Sequence, residues 1–285
     1  MKSINCTLIT GASEGFGKYL ALECASRDMN LILVALPGPE VHSLGKFIRN
    51  NFNVKVVCFE TDLSIESNCF KLYDEVKDQH LSVRYLLNNA GMLSRGLFCN
   101  LDPDYFLTQI RLNVSAPTLL VSLFLDDLKQ NSPSAILNVS SMAAFFYLSQ
   151  KQVYGGTKAY LVSFSQSLRR ELKPDNVSVT VVCPGGMNTT PRLIYQNRNA
   201  CWGSRQSAMN PEEVAKLSIN AMLDGRPILI PGKLNRLFML LNRLLPKFIK
   251  ESITATLADN RYGQLSNQRN TVSRFADFTP FPNSF

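Results

Sequence analysis

Thr10-Gly11-Ala12-Ser13-Glu14-Gly15-Phe16-Gly17 follows an apolar run at residues 7–9 and opens a segment of helical period at residues 17–27. Glycines between a strand and a helix let the backbone turn tightly and approach a bound group closely. The N-terminus of the following helix presents free N–H groups to an anion, so the stretch reads as a pyrophosphate cradle. An ordinary strand–helix turn is the plain alternative, and the strand–turn–helix context favours the cradle.

Outward from this turn, apolar runs of strand length alternate with longer segments of helical period. Residues 31–35, 54–59, 85–88, 135–139 and 177–182 read as further strands, with a short last one at 227–230. Residues 41–50, 64–79, 103–128, 154–172 and 211–224 read as helices. Strands that are apolar throughout and separated by helices predict a parallel sheet covered on both faces. The expected fold is α/β, a Rossmann-type doubly wound sheet of about seven strands with helices on both faces. The sequence divides into a dinucleotide-binding catalytic domain at 1–232, with a lid segment near 187–210, a basic apolar helical extension at 233–262 and a polar, disordered tail at 263–285.

The spacing Gly-x3-Gly-x-Gly after Thr10 differs from GxGxxG and resembles the variant of the short-chain dehydrogenase/reductase family. Further motifs fall in order at strand ends: Asn88-Asn89-Ala90-Gly91, Asp62 followed by Leu63, and Pro184-Gly185 with Thr189. The resemblance spans residues 4–232. It implies that Thr10, Gly11, Ser13, Glu14, Gly15, Phe16 and Gly17 line the phosphates. It further implies that Leu36 lies at the ribose, Asp62 and Leu63 near the adenine, Asn89, Ala90 and Gly91 along the adenosine side, and Pro184, Gly185 and Thr189 beside the nicotinamide.

Tyr154 and Lys158 stand at i and i+4, on one face of a helix. A phenol with a pKa near 10 is a poor acid–base group at pH 7, and a nearby cation should favour phenolate and lower the value. Such a tyrosine can hand a proton to a developing alkoxide or remove one from an alcohol. Thirteen residues upstream stands Ser141, at the family's spacing for a serine that donates to the substrate oxygen, with Ser140 as the fallback and a capping role as its plain alternative. By the same resemblance Asn113 matches an asparagine that holds a relay water, and a buried Asn bonding backbone is the equal alternative. Lys158 is expected to bind the nicotinamide ribose as well. The expected enzyme is an NAD(P)-dependent oxidoreductase interconverting a ketone and its secondary alcohol. A non-catalytic nucleotide-binding or membrane-associating protein on the same scaffold is the competing reading, and the Ser141/Tyr154/Lys158 set argues against it.

The cofactor signals conflict. Glu14 and Leu36 stand where NADP-using members carry cations, yet the second strand ends in Ala35 where NAD-using members carry an acid. Glu14 would repel a 2′-phosphate, so the balance leans slightly to NAD, with Lys18 and Lys46 as alternative phosphate partners. Residues 142–148 (Met-Ala-Ala-Phe-Phe-Tyr-Leu), with Met187, Leu193, Ile194, Tyr195 and Trp202, suggest an apolar pocket for a long acyl chain or a steroid-like ketone, or else ordinary core or dimer contact.

Charge and cysteines exclude other classes. The chain carries 30 Lys and Arg against 22 Asp and Glu, and from Arg226 onward the count is 9 against 3, so the basic excess is concentrated at the C-terminal end. That is a poor match to the aromatic-interleaved basic stripe of a nucleic-acid binder. Seven cysteines without a CxxC pair, beside two histidines, predict no metal site and a reducing, cytoplasmic compartment. Residues 234–250 mix cations with apolar side chains, and are expected to bury that face as a lid or in a homodimer or homotetramer contact. Peripheral attachment to an anionic membrane is the second option.

Overall fold

The computed structural model describes residues 4–93, 96–189, 194–195 and 207–244. Seven parallel strands form one sheet in the order β3-β2-β1-β4-β5-β6-β7. They are β1 (Ile4–Thr10), β2 (Leu31–Ala35), β3 (Val56–Glu60), β4 (Leu81–Asn88), β5 (Ser134–Val139), β6 (Val177–Val182) and β7 (Ile228–Leu229). Alternate residues of a strand point to opposite faces, and here both faces are dry. Leu31, Leu33 and Ala35 pack with α1 (Gly15–Ala25), α2 (Pro39–Asn51) and α8 (Pro211–Leu223). Ile32 and Val34 face the opposite core, with α3 (Glu66–Asp78), α5 (Ala116–Leu123) and α6 (Leu125–Gln130). Burying each of these aliphatic side chains contributes about 1.5–3 kcal/mol, which is why the strands read as unbroken apolar runs.

Strand order reverses between β1 and β4, so the crevice outside their carboxyl ends is the natural ligand position. Both strands start earlier than the apolar runs suggest. Polar Asn5, Ser82 and Arg84 interrupt the pattern, yet Ile4 pairs with Leu81 and Asn5 with Ser82.

The single helix expected at 103–128 is broken. α4 (Pro103–Ile110) passes into a π-helical turn at Arg111–Ser115, and α5 and α6 follow, separated at the buried Phe124. Pro117 has no N–H to return to the carbonyl of Asn113, which removes one α-helical bond at this point. α7 (Gln152–Glu171) crosses beneath β5 and β6.

In the last described helix, α9 (Lys233–Leu244), the apolar side chains divide: Leu234, Phe238 and Met239 are partly buried. Leu237, Leu240 and Leu241 are exposed, whereas Asn235 is 3% exposed. The fully buried side chain among those described is a polar one, Asn235. Residues 245–250 and the expected tail at 263–285 lie outside the described residues. Among the described residues no helix is long and apolar enough to cross a membrane.

Candidate active site

The glycine turn is stitched to the end of β4. Thr10 Oγ1 accepts from the backbone N–H groups of Asn89 (3.0 Å) and Ala90 (2.9 Å). Asn89 Nδ2 donates in return to the carbonyls of Thr10 (2.9 Å) and Gly11 (3.1 Å). The approach is so close that a Cβ on Gly17 would lie 2.0 Å from the Gly11 oxygen, and Gly11 adopts φ +63. Only glycine fits there. Phe16 and Leu63 have buried side chains, so they offer the crevice only backbone. Thr189 lies opposite Gly15, 3.9 Å from where a Cβ would stand, so the two ends of the cradle face each other.

On the β5 side, adjacent serines have separate surroundings. Ser140 is buried, and its hydroxyl donates to the carbonyl of Lys158 at 2.7 Å. Ser141 is half-buried and caps the 3₁₀ turn Met142–Phe145, accepting from the N–H of Ala143 at 3.1 Å. Tyr154 and Lys158 project from the first turns of α7, with the ammonium 5.8 Å from the phenol ring centre. Lys158 Nζ donates to the carbonyl of Val139 at 2.9 Å and lies 3.3 Å from the position a Cβ on Gly91 would take. Asn113 Oδ1 is 3.2 Å from the same position. Asn113 and Lys158 therefore close in on Gly91 so tightly that a side chain there would crowd both. The Asn113 side chain is engaged on both sides: Oδ1 accepts from Met92 N at 2.8 Å, and Nδ2 donates to Met92 O and Thr157 Oγ1, both at 3.1 Å.

Burial dominates the electrostatics. It lowers Lys158 to about 8 and pushes the Cys183 thiol behind it up to about 12, so that thiol is neutral at pH 7 and gives the cation no counter-charge. Tyr154 corrects the sequence expectation. Its phenol is raised, because burial outweighs the hydrogen bond from Ser141 that works the other way.

Just past β3, Asp62 Oδ1 accepts from the N–H of Ser64 (2.9 Å) and its hydroxyl (2.7 Å), fixing the β3–α3 turn. Leu36 is 63% exposed just past β2. Pro184 accepts from the N–H of Met142 at 2.9 Å, tying the segment after β6 to the serine turn. Leu193 and Trp202 of the expected lid lie outside the described residues.

Sequence reasoning missed Asn235. Its Nδ2 donates to Pro231 O (2.8 Å) and Ser207 O (3.2 Å). A Cβ on Gly185 would lie 2.8 Å from its Oδ1, and one on Gly232 would lie 3.1 Å from its Nδ2. Met187 and Met209 bridge in parallel nearby, so Asn235 joins the segment after β6, Ser207 and the start of α9. The available signal was an asparagine three residues after Pro231-Gly232 in an otherwise apolar, basic segment.

A cradle that only glycine fits, opposite a buried cation with no carboxylate beside it among the described residues, suits a nicotinamide dinucleotide: phosphates at the turn of α1, ribose hydroxyls toward Lys158. The comparisons agree. The short chain dehydrogenase family model matches residues 5–199. The chain is 28% identical to a 3-oxoacyl-(acyl-carrier-protein) reductase of Aquifex aeolicus, over 74% of this chain and 87% of that protein. It is also 28% identical to the human 17-beta-hydroxysteroid dehydrogenase type 3, over 76% of this chain and 68% of that protein. Among solved structures, a 7beta-hydroxysteroid dehydrogenase superposes with a TM-score of 0.79 at 20% identity, covering 90% of this chain and 98% of that one. A short-chain dehydrogenase from Sphingobium yanoikuyae, solved with NADPH, superposes at 0.71 with 23% identity, covering 99% and 98%. This chain belongs to the short-chain dehydrogenase/reductase family, and so to the oxidoreductases that work with NAD or NADP.

Proposed function

We propose that the protein interconverts an apolar ketone and its secondary alcohol, with Ser141, Tyr154 and Lys158 as the catalytic group and Asn113 holding their surroundings. The observation that carries this reading is the buried ammonium of Lys158, on the same face of α7 as a buried phenol that is hydrogen-bonded to Ser141. A bound nicotinamide supplies the hydride that reaches the carbonyl carbon and takes it back in the reverse direction. Ser141 donates to the substrate oxygen and polarises the carbonyl. Tyr154 delivers the proton that this oxygen needs as it becomes an alcohol, and recovers it in oxidation. Lys158 holds ribose hydroxyls. Bound ribose hydroxyls would give the ammonium partners, and its positive charge would then favour the phenolate.

An apolar substrate is supported by residues 142–148, which carry no charged side chain, and by exposed Leu93 and Tyr147. The names of the relatives point to oxoacyl and steroid substrates. Self-association is supported by the outer face of α7, where Ala159, Val162, Ser163 and Gln166 line a shallow groove, and by exposed Leu107 and Ile110 on α4. A reducing, cytoplasmic compartment is supported by free thiols at Cys6, Cys24, Cys58, Cys69, Cys99 and Cys183.

The test is Tyr154→Phe, assayed against ketones of graded chain length with NADH and NADPH. The cofactor Kd should hold while kcat falls by about 10²–10⁴. Near-normal turnover would sink the catalytic assignment, and rates that fall as the ketone lengthens would sink the apolar one.

A further inference from the structure

The ends of β1, β2 and β3 are knitted where the adenosine half of the dinucleotide belongs. Ala12 N donates to Val34 O at 3.1 Å, and Thr61 N donates to Ala35 O at 2.7 Å. In such folds the residue at the end of β2 reads the adenosine ribose, an acid taking the 2′-hydroxyl and an arginine taking a 2′-phosphate. This chain has neither, since β2 runs out through Ala35, Leu36, Pro37 and Gly38. The register fills the gap from the neighbouring strand. Glu60 pairs directly with Ala35, and its Oε1 accepts from the backbone N–H of Gly38 at 3.0 Å. Gly38 is the N-cap of α2. Glu40 turns back onto the same residue: a Cβ on Gly38 would lie 2.6 Å from its Oε2. His42 Nε2 stands 3.4 Å from Glu60 Oε1.

We infer that Glu60 is the specificity-determining acid of the cofactor site, and that it makes the protein select NAD(H) over NADP(H). The inference rests on the dinucleotide reading above. Two physical effects act together. A carboxylate accepts a hydrogen bond from a ribose hydroxyl but repels a phosphate monoester carrying close to two negative charges. The amide at the start of α2, which a phosphate would recruit, already has Glu60 as its acceptor, and Glu40 adds a second negative charge beside it. The acid that β2 lacks in sequence is thus supplied in space by β3.

The test is direct binding of NADH and NADPH to the full-length protein, by nucleotide fluorescence or calorimetry, for the wild type, Glu60→Gln and Glu60→Ala. The glutamine variant keeps an oxygen to accept from Gly38 while losing the charge, so it separates selection from loop stability, and thermal melts confirm that each variant is folded. Wild type should bind NADH more tightly. Both variants should move the ratio of the two dissociation constants toward NADPH by about tenfold or more, equivalent to roughly 1.4 kcal/mol. A ratio that stays put in both folded variants, or a wild type that prefers NADPH, overturns the role of Glu60 and leaves the dinucleotide site standing. Failure of the wild type to bind either nucleotide would overturn both.

Discussion

Replacing Asn235 by Asp changes one atom group at a site that is 3% exposed and leaves the volume almost unchanged. Two donated hydrogen bonds disappear, to Pro231 O at 2.8 Å and Ser207 O at 3.2 Å. At about 1 kcal/mol each, with about 1–3 kcal/mol more for a buried carboxylate left facing carbonyl oxygens, the loss is roughly 3–5 kcal/mol. For a chain of this size that lowers Tm by roughly 6–20 °C. The effect has a pH signature. A protonated Asp can return one donated bond, so the folded state raises the carboxyl pKa above its unfolded value. The deficit is then full above the folded pKa and shrinks as pH falls toward the ordinary carboxylate range. Thermal melts from pH 8 to pH 5 read both features. NADH binding adds a third, because Asn235 abuts Gly185. A variant that melts with the wild type at pH 7, or a deficit that is flat with pH, would refute the assignment of Asn235 as the anchor of this corner.

Gly17→Ala puts a Cβ 2.0 Å from a backbone oxygen, and should weaken dinucleotide binding at least tenfold with a stability loss of about 1–3 kcal/mol; calorimetric titration and a melt check it. Lys158→Met should stabilise the nucleotide-free protein at pH 7 by roughly 3 kcal/mol, because the wild type folds with a buried ammonium held down at about 8. Between about pH 8 and 10.5 the unfolded chain binds the proton and the folded one does not, so wild-type stability recovers there and the variant's advantage fades. Denaturant midpoints across that window, compared for the two proteins, decide it. Changing Leu237, Leu240 and Leu241 together to Ser should alter stability little, within about 0.5 kcal/mol per site, because these side chains already face solvent. A large loss of Tm would show that they are covered.

The parallel sheet was legible because each of its central strands is apolar on both faces, a pattern that few other architectures produce. The motif at Thr10–Gly17 was legible because strand, turn and helix follow one another without a gap. Several features were not. β4 begins at Leu81 although Ser82 and Arg84 break the apolar run; Arg84 Nε donates to Pro133 O, and pairing with β1 overrides local polarity. Pro117 marked a helix break in the sequence, but the apolar period continues through it and hid the π turn. Glu60 and Asn235 were invisible for a common reason. Each acts on a residue distant in sequence, Gly38 and Gly185 respectively, and no periodicity records a contact across strands or from a C-terminal helix. Tyr154 misled in the opposite direction: the i, i+4 spacing to Lys158 is real, but spacing carries no information about how far burial raises the phenol.

The stitch between Thr10 and Asn89 spans 79 residues of chain. At a synthesis rate of roughly 5–20 residues per second, β1 waits about 4–16 s for β4 to emerge, even though β2 reaches its other edge much sooner. During that interval Cys6, Leu8 and Ile9, fully buried in the finished fold, border an open strand edge with no partner on that side. Parallel sheets built from such distant pairings fold slowly, and open apolar edges attract other chains. The residues that tie the glycine turn to β4 therefore also set the period in which the nascent chain most needs protection from aggregation. A substitution that weakens Thr10 or Asn89 would be felt first in the yield of soluble protein during synthesis, before any effect on turnover is measured.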